Sequence, residues 1–210
     1  MYRVGVFASG SGTNLQSLID AAGREFTVCV VATDNPAAGA LQRAAAHNIP
    51  TISFADPRDG PDIVRSLAKF ELDLVVLAGY LKLVPADVVA AFNRGMINIH
   101  PALLPAFGGK GMYGIKVHEA VLASGCAVSG PTVHVVGEEY DRGRILAQWP
   151  VPVLPADSAA ELQRRVLAVE HQLLPAVVKA AAAAGTPVPL EPRTEAFAAA
   201  DDPSIELRKE

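Results

Sequence analysis

Cysteine is almost missing from this chain of 210 residues: Cys29 and Cys126 are the only two, and both stand in apolar runs without C-x-x-C spacing. This argues against a disulfide framework and a zinc cluster, and reduced, buried thiols are the expectation. Positive charge is not in excess, because 18 Lys plus Arg stand against 22 Asp plus Glu for a net charge of -4. No global field gathers nucleic acid or an anionic membrane, so any anion has to be caught locally. Long apolar runs are missing too. No stretch of about 18 apolar residues passes without a charge or a proline, so no membrane span is expected. The run Val4 to Ala8 behind Met1-Tyr2-Arg3 is too short for a signal peptide, and the expected location is cytoplasmic. No serine has G-x-S-x-G around it, and the five histidines show neither H-x-H nor H-x-x-x-H spacing. Covalent catalysis and a metal site are therefore both disfavoured.

Half of the residues are hydrophobic, enough to bury a sizeable core in one domain, expected over 1–185. Beyond Gly185, the prolines 187, 189, 192 and 203 and the charged end Glu206 to Glu210 predict an extended edge segment and a loose tail over 186–210. Short runs that are apolar throughout, Val4 to Ala8, Val28 to Ala32, Leu72 to Ala78 and Met96 to Ile99, suit parallel strands covered on both faces. Between them lie helical spacings: Leu15-Leu18-Ile19, Ala40 to Ala46, Ile63-Leu67-Phe70 and Val88-Val89-Phe92. The alternation predicts an α/β fold with an open, mostly parallel, doubly wound sheet and helices on both faces. Cys126 to Val136 and Ile145 to Val153, joined by a polar connection, predict an antiparallel strand addition in the C-terminal half. Ser158 with Glu161 three residues on is a capping-box pattern that opens a long helix, which Gly185 closes and which Pro175 should kink or split.

Two local patterns point to chemistry. Ser9-Gly10-Ser11-Gly12-Thr13-Asn14 joins the first strand to a helix starting near Asn14. Backbone N–H groups and the positive end of the helix suit a phosphate there without any lysine. Leu15 stands where the dinucleotide fingerprint needs its third glycine, and no Gly-Lys-Ser/Thr follows, so a monophosphate remains, beside the plainer reading of a tight turn needing positive φ. Further on, Asn98 and His100 in Asn98-Ile99-His100-Pro101 project to the same side of an extended segment, and Pro101 keeps His100 extended. An amide and an imidazole side by side can donate to an oxygen that gains charge, although a satisfied buried pair has the same spacing. His134 shares a strand face with Thr132 and Val136, as a supporting partner or an ordinary half-buried histidine. Asp141 lies on a loop that can reach His100, or serves the turn before Gly143.

Together, the loop Ser9 to Asn14, the run Leu77 to Leu83, Asn98-Ile99-His100-Pro101-Ala102-Leu103-Leu104-Pro105 and Gly130 to His134 running on to Asp141-x-Gly143 resemble the phosphoribosylglycinamide formyltransferases, over roughly residues 2 to 180. The Asn-x-His-Pro stretch alone marks the wider formyltransferase superfamily, and the Ser-Gly-x-Gly-x-Asn loop points to this branch. The resemblance implies transfer of the formyl group of 10-formyltetrahydrofolate to the glycine amine of glycinamide ribonucleotide, in purine synthesis. It implies Asn98, His100 and Asp141 as the catalytic trio, with His134 in support. Gly12, Thr13 and Asn14 match its phosphate cradle, and Glu170 a carboxylate that contacts the ribonucleotide. Tyr80, Leu81, Lys82, Leu83 and Val84 match the folate wall, as do Gly137, Glu138, Glu139 and Tyr140. Lys82 stands where many relatives have Arg, which keeps the charge and loses the planar fork. The segment Ala106 to Gly114 is longer and richer in glycine than the commonest form, and its Lys110 either attracts folate carboxylates or sits on a flexible connector.

The expected partners are these two small molecules, with folate as co-substrate, no tightly bound cofactor, no metal, no nucleic acid and no membrane, in a monomer or homodimer. Three other readings compete. A formyltetrahydrofolate deformylase shares the trio and is expected to carry a further N-terminal regulatory domain. A methionyl-tRNA formyltransferase needs a further C-terminal domain and a basic surface, which the net charge of -4 opposes. A phosphate-binding module without activity explains the glycine loop and leaves the coincidence of Asn98, His100 and Asp141 unexplained.

Overall fold

The computed structural model describes residues 1–92 and 95–191. Pro192, Pro203 and the charged end, on which part of the tail expectation rests, lie outside the described residues. Five strands run parallel: β1 (Tyr2–Phe7), β2 (Phe26–Thr33), β3 (Thr51–Ser53), β4 (Leu74–Leu77) and β5 (Met96–His100). Their crossovers carry α1 (Thr13–Ala21), α2 (Gly39–Ala46), α3 (Gly60–Leu67) and α4 (Ala86–Ala91). α5 (Ile115–Ala123) follows β5, and the chain then adds β6 (Val128–Ser129), β7 (Thr132–Val135), β8 (Ile145–Gln148), β9 (Val151–Pro152) and α6 (Ala159–Ala184). The main sheet has seven strands in the order β3-β2-β1-β4-β5-β7-β8, and the last two are antiparallel additions. This is the open, doubly wound α/β architecture expected from the alternation.

Both faces of the sheet are covered, which is why its strands are apolar throughout. On one face Val4, Val6 and Val31 pack with Leu15 and Leu18 of α1 and with Leu173, Leu174, Val177 and Val178 of α6. On the other, Phe7, Val30, Val75 and Leu77 meet Ile63 and Leu67 of α3 and Val88 of α4. Each such aliphatic or aromatic side chain contributes about 1.5–3 kcal/mol on full burial.

Four details differ from the sequence reading. The segments Cys126 to Val136 and Ile145 to Val153 are each broken in two, and β6 and β9 pair in a small sheet of their own. Pro131 and Pro150 stand at the breaks, where each withdraws a ladder donor, and a side chain on Gly130 would run into the Trp149 carbonyl. Helix α6 keeps its Ser158–Glu161 capping box and its left-handed Gly185, and it runs unsplit through Pro175. By length and composition α6 would suffice to cross a membrane, yet Leu162, Val166, Leu173 and Leu174 on it are fully buried inside the protein. The expectation of two buried thiols fails: Cys29 is half-buried and Cys126 is exposed. The reason is that Cys126 falls in the turn after α5, where its N–H meets the Ser124 hydroxyl at 3.3 Å, ahead of any strand. Strand β3 and helix α5 had no counterpart in the sequence reading, β3 because it has only three residues at a half-exposed edge.

Leu174→Ala removes a fully buried side chain between α6 and the sheet. It is expected to cost about 2–5 kcal/mol, read as a lower urea midpoint at unchanged m-value; an unchanged midpoint means that α6 is not part of the core.

Candidate active site

The strand order reverses between β1 and β4, and in open α/β sheets the crevice beyond the carboxyl ends of such strands is the place for a ligand. Two segments leave the sheet there and are tied together: Ser9 N–H donates to the Gly79 carbonyl at 3.0 Å, and Leu81 N–H to the Ser9 hydroxyl at 3.1 Å. A cleft of about 630 Å³ opens at this point, a size suited to small organic ligands.

At one end of the cleft lies the glycine loop. Gly12 takes φ +73° as the residue before α1, and a side chain on it would press within 2.7 Å of the Ala40 backbone. The positive-φ turn is therefore present, and so is a helix start whose first N–H groups have no intrahelical acceptor. Gly12, Thr13 and Asn14 all line the cleft. Asn14 donates from Nδ2 to Oε2 of Glu170 at 2.5 Å, while its own Oδ1 has no partner. Burial of Glu170, 6 % exposed, pushes its carboxyl pKa up against the pull of that hydrogen bond.

At the other end three segments converge. Register between β5 and β7 sets Asn98 opposite His134, and Asn98 Nδ2 lies 3.1 Å from His134 Nε2. His134 Nδ1 meets the Val135 carbonyl at 2.9 Å; the carbonyl accepts, so Nδ1 carries the hydrogen and neutral Nε2 accepts from Asn98. His100 is held the same way, with Nε2 against the Phe107 carbonyl at 2.9 Å, which leaves Nδ1 turned toward Asp141 Oδ2 at 3.6 Å. Asp141 arrives from the β7–β8 connection in the left-handed region, φ +56°. Gly143 allows that approach, because a side chain there would overlap the Val135 carbonyl. Its carboxylate takes the Gly109 N–H at 2.8 Å and lies 3.4 Å from Asn98 Nδ2 and 3.5 Å from His134 Nε2. Burial raises the Asp141 pKa, but the His134 and His100 rings beside it, which favour the carboxylate when they carry a proton, and the Gly109 N–H together outweigh it and hold the group below the ordinary carboxylate range. Burial dominates at His100 and pushes its pKa down despite Asp141, so the ring rests neutral at neutral pH.

The walls between the two ends carry Tyr80, Leu81, Lys82, Leu83 and Val84 on one side. Gly137, Glu139 and Tyr140 stand on the other; Glu138, read from the sequence with them, does not line the cleft. The glycine-rich segment also belongs to the wall. Residues Gly109 to Gly114, Lys110 among them, line it, with positive φ at Gly109, Gly111 and Gly114. Sequence reasoning missed His118, Gln163 and Leu167. Gln163 and Leu167 precede Glu170 by seven and three residues on α6, a one-face helical spacing that was there to be read. His118 gives no such signal. It is 1 % exposed on α5, its Nδ1 has no partner, and burial, with the His100 charge beside it, pushes its pKa down to about 4. Among the described residues no group of three His, Cys, Asp or Glu is arranged to hold a metal ion.

Residues 2–178 match the formyl transferase family. A chloroplastic phosphoribosylglycinamide formyltransferase of Vigna unguiculata is 51% identical over 187 residues, 85% of this chain and 60% of that protein. A phosphoribosylglycinamide formyltransferase of Mycobacterium tuberculosis is 40% identical over 193 residues, 89% of this chain and 87% of its own length. The chain thus spans less than two thirds of the plant relative. Among solved structures, phosphoribosylglycinamide formyltransferase from Anaplasma phagocytophilum superposes with a TM-score of 0.80 at 36% identity, covering 87% of each chain. Glycinamide ribonucleotide transformylase 1 from Symbiobacterium toebii gives 0.79 at 38% identity, covering 88% of this chain and 89% of that one.

The raised pKa of Glu170 makes a pH-dependent prediction. A carboxyl whose pKa is raised by folding penalises the fold once pH exceeds its unfolded value and leaves stability untouched well below it. Glu170→Gln, which keeps an acceptor for Asn14, is therefore expected to raise the melting temperature at pH 8 and not at pH 4; an equal shift at both pH values would show that the carboxyl is not penalised by its burial.

Proposed function

The chain belongs to the formyl transferase family, and on that premise we propose that it transfers the formyl group of 10-formyltetrahydrofolate to the glycine amine of glycinamide ribonucleotide, a step of purine synthesis. One observation carries this reading: the Asn98–His100–Asp141 cluster and the glycine loop at the head of α1 line a single cleft, the loop leaving β1 and the cluster built on β5 with β4 between them. A sugar phosphate gripped by Gly12, Thr13 and Asn14, with Glu170 beside it, extends its amine toward the cluster. The folate lies along Tyr80 to Val84, with Gly137, Glu139 and Tyr140 facing it.

The amine attacks the formyl carbon, and the carbonyl oxygen gains negative charge as the carbon becomes tetrahedral. Asn98 donates its amide N–H to that oxygen, in exchange for its resting contact with His134 Nε2. His100, neutral at rest with its Nε2 hydrogen committed to Phe107, has Nδ1 free to receive the proton that the amine sheds, directly or through water. The resulting imidazolium faces the Asp141 carboxylate and adds its charge beside the oxyanion. Collapse breaks the bond to the folate nitrogen, and His100 returns the proton there, so that one proton leaves the amine and one arrives on the leaving group. The reading includes two small-molecule substrates, a monomer or homodimer, no tightly bound cofactor and the cytoplasm as compartment, although the plant relatives are named chloroplastic.

The test is folate absorbance with purified protein and 10-formyltetrahydrofolate, with and without glycinamide ribonucleotide. A signal that requires the ribonucleotide supports the transfer; formate release without it assigns a deformylase instead. Asn98→Ala is expected to lower kcat roughly 10²- to 10³-fold while folate binding persists, the scale of one lost oxyanion donor, and unchanged turnover removes Asn98 from the mechanism. Because His100 must be neutral to take the proton, kcat is expected to fall as pH drops through its depressed pKa. Asp141→Asn, which removes the charge favouring the imidazolium, should move that acid limb to still lower pH.

A further inference from the structure

Between Ser9 and Asn14 the glycine loop has no cationic side chain, so its grip on an anion rests on backbone N–H groups and on the head of α1. One cation reaches the loop from outside. Arg43, half-buried on α2, donates its Nε–H to the Ser11 carbonyl at 2.9 Å and an Nη1 hydrogen to Gln16 Oε1 at 3.2 Å. The surrounding seam is tight: Ala40 N–H donates to the Gly10 carbonyl at 3.2 Å, and a side chain on Gly39 would come within 3.2 Å of the Ser11 carbonyl oxygen. With the short distance from Gly12 to Ala40 already noted, helix α2 and the loop are seated backbone against backbone. Arg43 makes no ion pair among the described residues; the carboxylate that shares its small cleft, Asp20, is reached only through Gln16. Nor does Arg43 line the main cleft. It lies in the shallower cleft on the far side of Thr13, with His171 and Gln172.

We infer that Arg43 is a positioning residue for the substrate phosphate, acting through the Ser11–Gly12 peptide. In a trans peptide the carbonyl and the following N–H point in opposite directions. Holding the Ser11 carbonyl toward α2 therefore turns the Gly12 N–H the other way, and Gly12 lines the main cleft. The guanidinium also sets a positive charge behind the loop, where it reinforces the helix end without touching the ligand. Nε and Nη1 take two acceptors from two different segments at once, a geometry that a lysine ammonium does not reproduce with the same rigidity.

This inference rests on the phosphate-cradle reading above, and its test separates the two. Arg43→Met is expected to raise KM for glycinamide ribonucleotide roughly 10- to 100-fold, the scale of a lost charge-assisted hydrogen bond, with a much smaller fall in kcat and no comparable rise in the folate KM. Arg43→Lys, which keeps the charge and loses the fork, should recover only part of the affinity. Calorimetric titration with inorganic phosphate supplies a readout independent of turnover, and Arg43→Met should weaken that binding by the same order. A wild-type phosphate affinity in Arg43→Met overturns the inference, and so does an equal loss for both substrates. Absence of formyl transfer in the unsubstituted protein overturns the proposed reaction and leaves the phosphate titration to decide on Arg43. Absence of phosphate binding in the unsubstituted protein overturns both the cradle and its arginine.

Discussion

A carboxylate taken out of water has to be surrounded by donors, and Asp141, with its side chain 10% exposed, meets that demand with groups from three separate parts of the chain. The Gly109 N–H from the glycine-rich segment and the Asn98 amide from β5 donate to it, while the His100 and His134 rings, from β5 and β7, flank it and face it as donors only when protonated. Remove the carboxylate and these groups lose their common centre. The β5–β7 register, the left-handed turn at Asp141, the missing side chain at Gly143 and the loop from Phe107 to Gly109 all have the same consequence: they bring polar partners to this one carboxylate. Half-filling such a network would be worse than having none, which explains why so many backbone irregularities collect around it.

The phosphate end of the cleft follows a different physical rule. The loop from Ser9 to Asn14 holds no side-chain cation, so what it offers a proposed anion is peptide dipoles fixed in place by packing. The sheet's reversal between β1 and β4 supplies the crevice, α1 supplies its partial positive charge, and α2 supplies a small-residue seat that lets the loop lie flat. Strands carry Asn98, His100 and His134 and the head of α1 carries Thr13 and Asn14, while Asp141 and Gly12 come from the connections. The cleft lining also includes a segment with three positive-φ glycines and the exposed Leu81 and Leu83, which offer apolar surface to a ligand.

Much of this was legible beforehand. The parallel strands, their covering helices, the Ser158 capping box and the grouping of Asn98 with His100 all depend on spacing within one segment, where side-chain direction follows directly from strand or helix geometry. What failed depended on distant neighbours. Cys126 was expected to be buried because its neighbours are apolar, but a turn after α5 carries it to the surface. The split of each late strand at Gly130-Pro131 and Trp149-Pro150 reflects the close passage of those two segments, visible in neither alone. Glu138 was grouped with the wall because the resemblance matches the whole loop from Gly137 to Tyr140, yet only Gly137, Glu139 and Tyr140 of it line the cleft. Adjacent residues in an irregular connection need not share a side.

By itself, the order of amino acids determined the α/β class, the site of the glycine loop at the head of a helix and the pairing of an amide with an imidazole on one strand face, since each is a local consequence of periodicity or backbone freedom. Only the tertiary structure decided that Asp141 lies against that pair, that Glu170 closes on Asn14 from 156 residues away, that His118 lines the cleft and that Arg43 backs the glycine loop. Contacts across such distances are selected by which apolar surfaces pack together, and that is a property of the folded core as a whole.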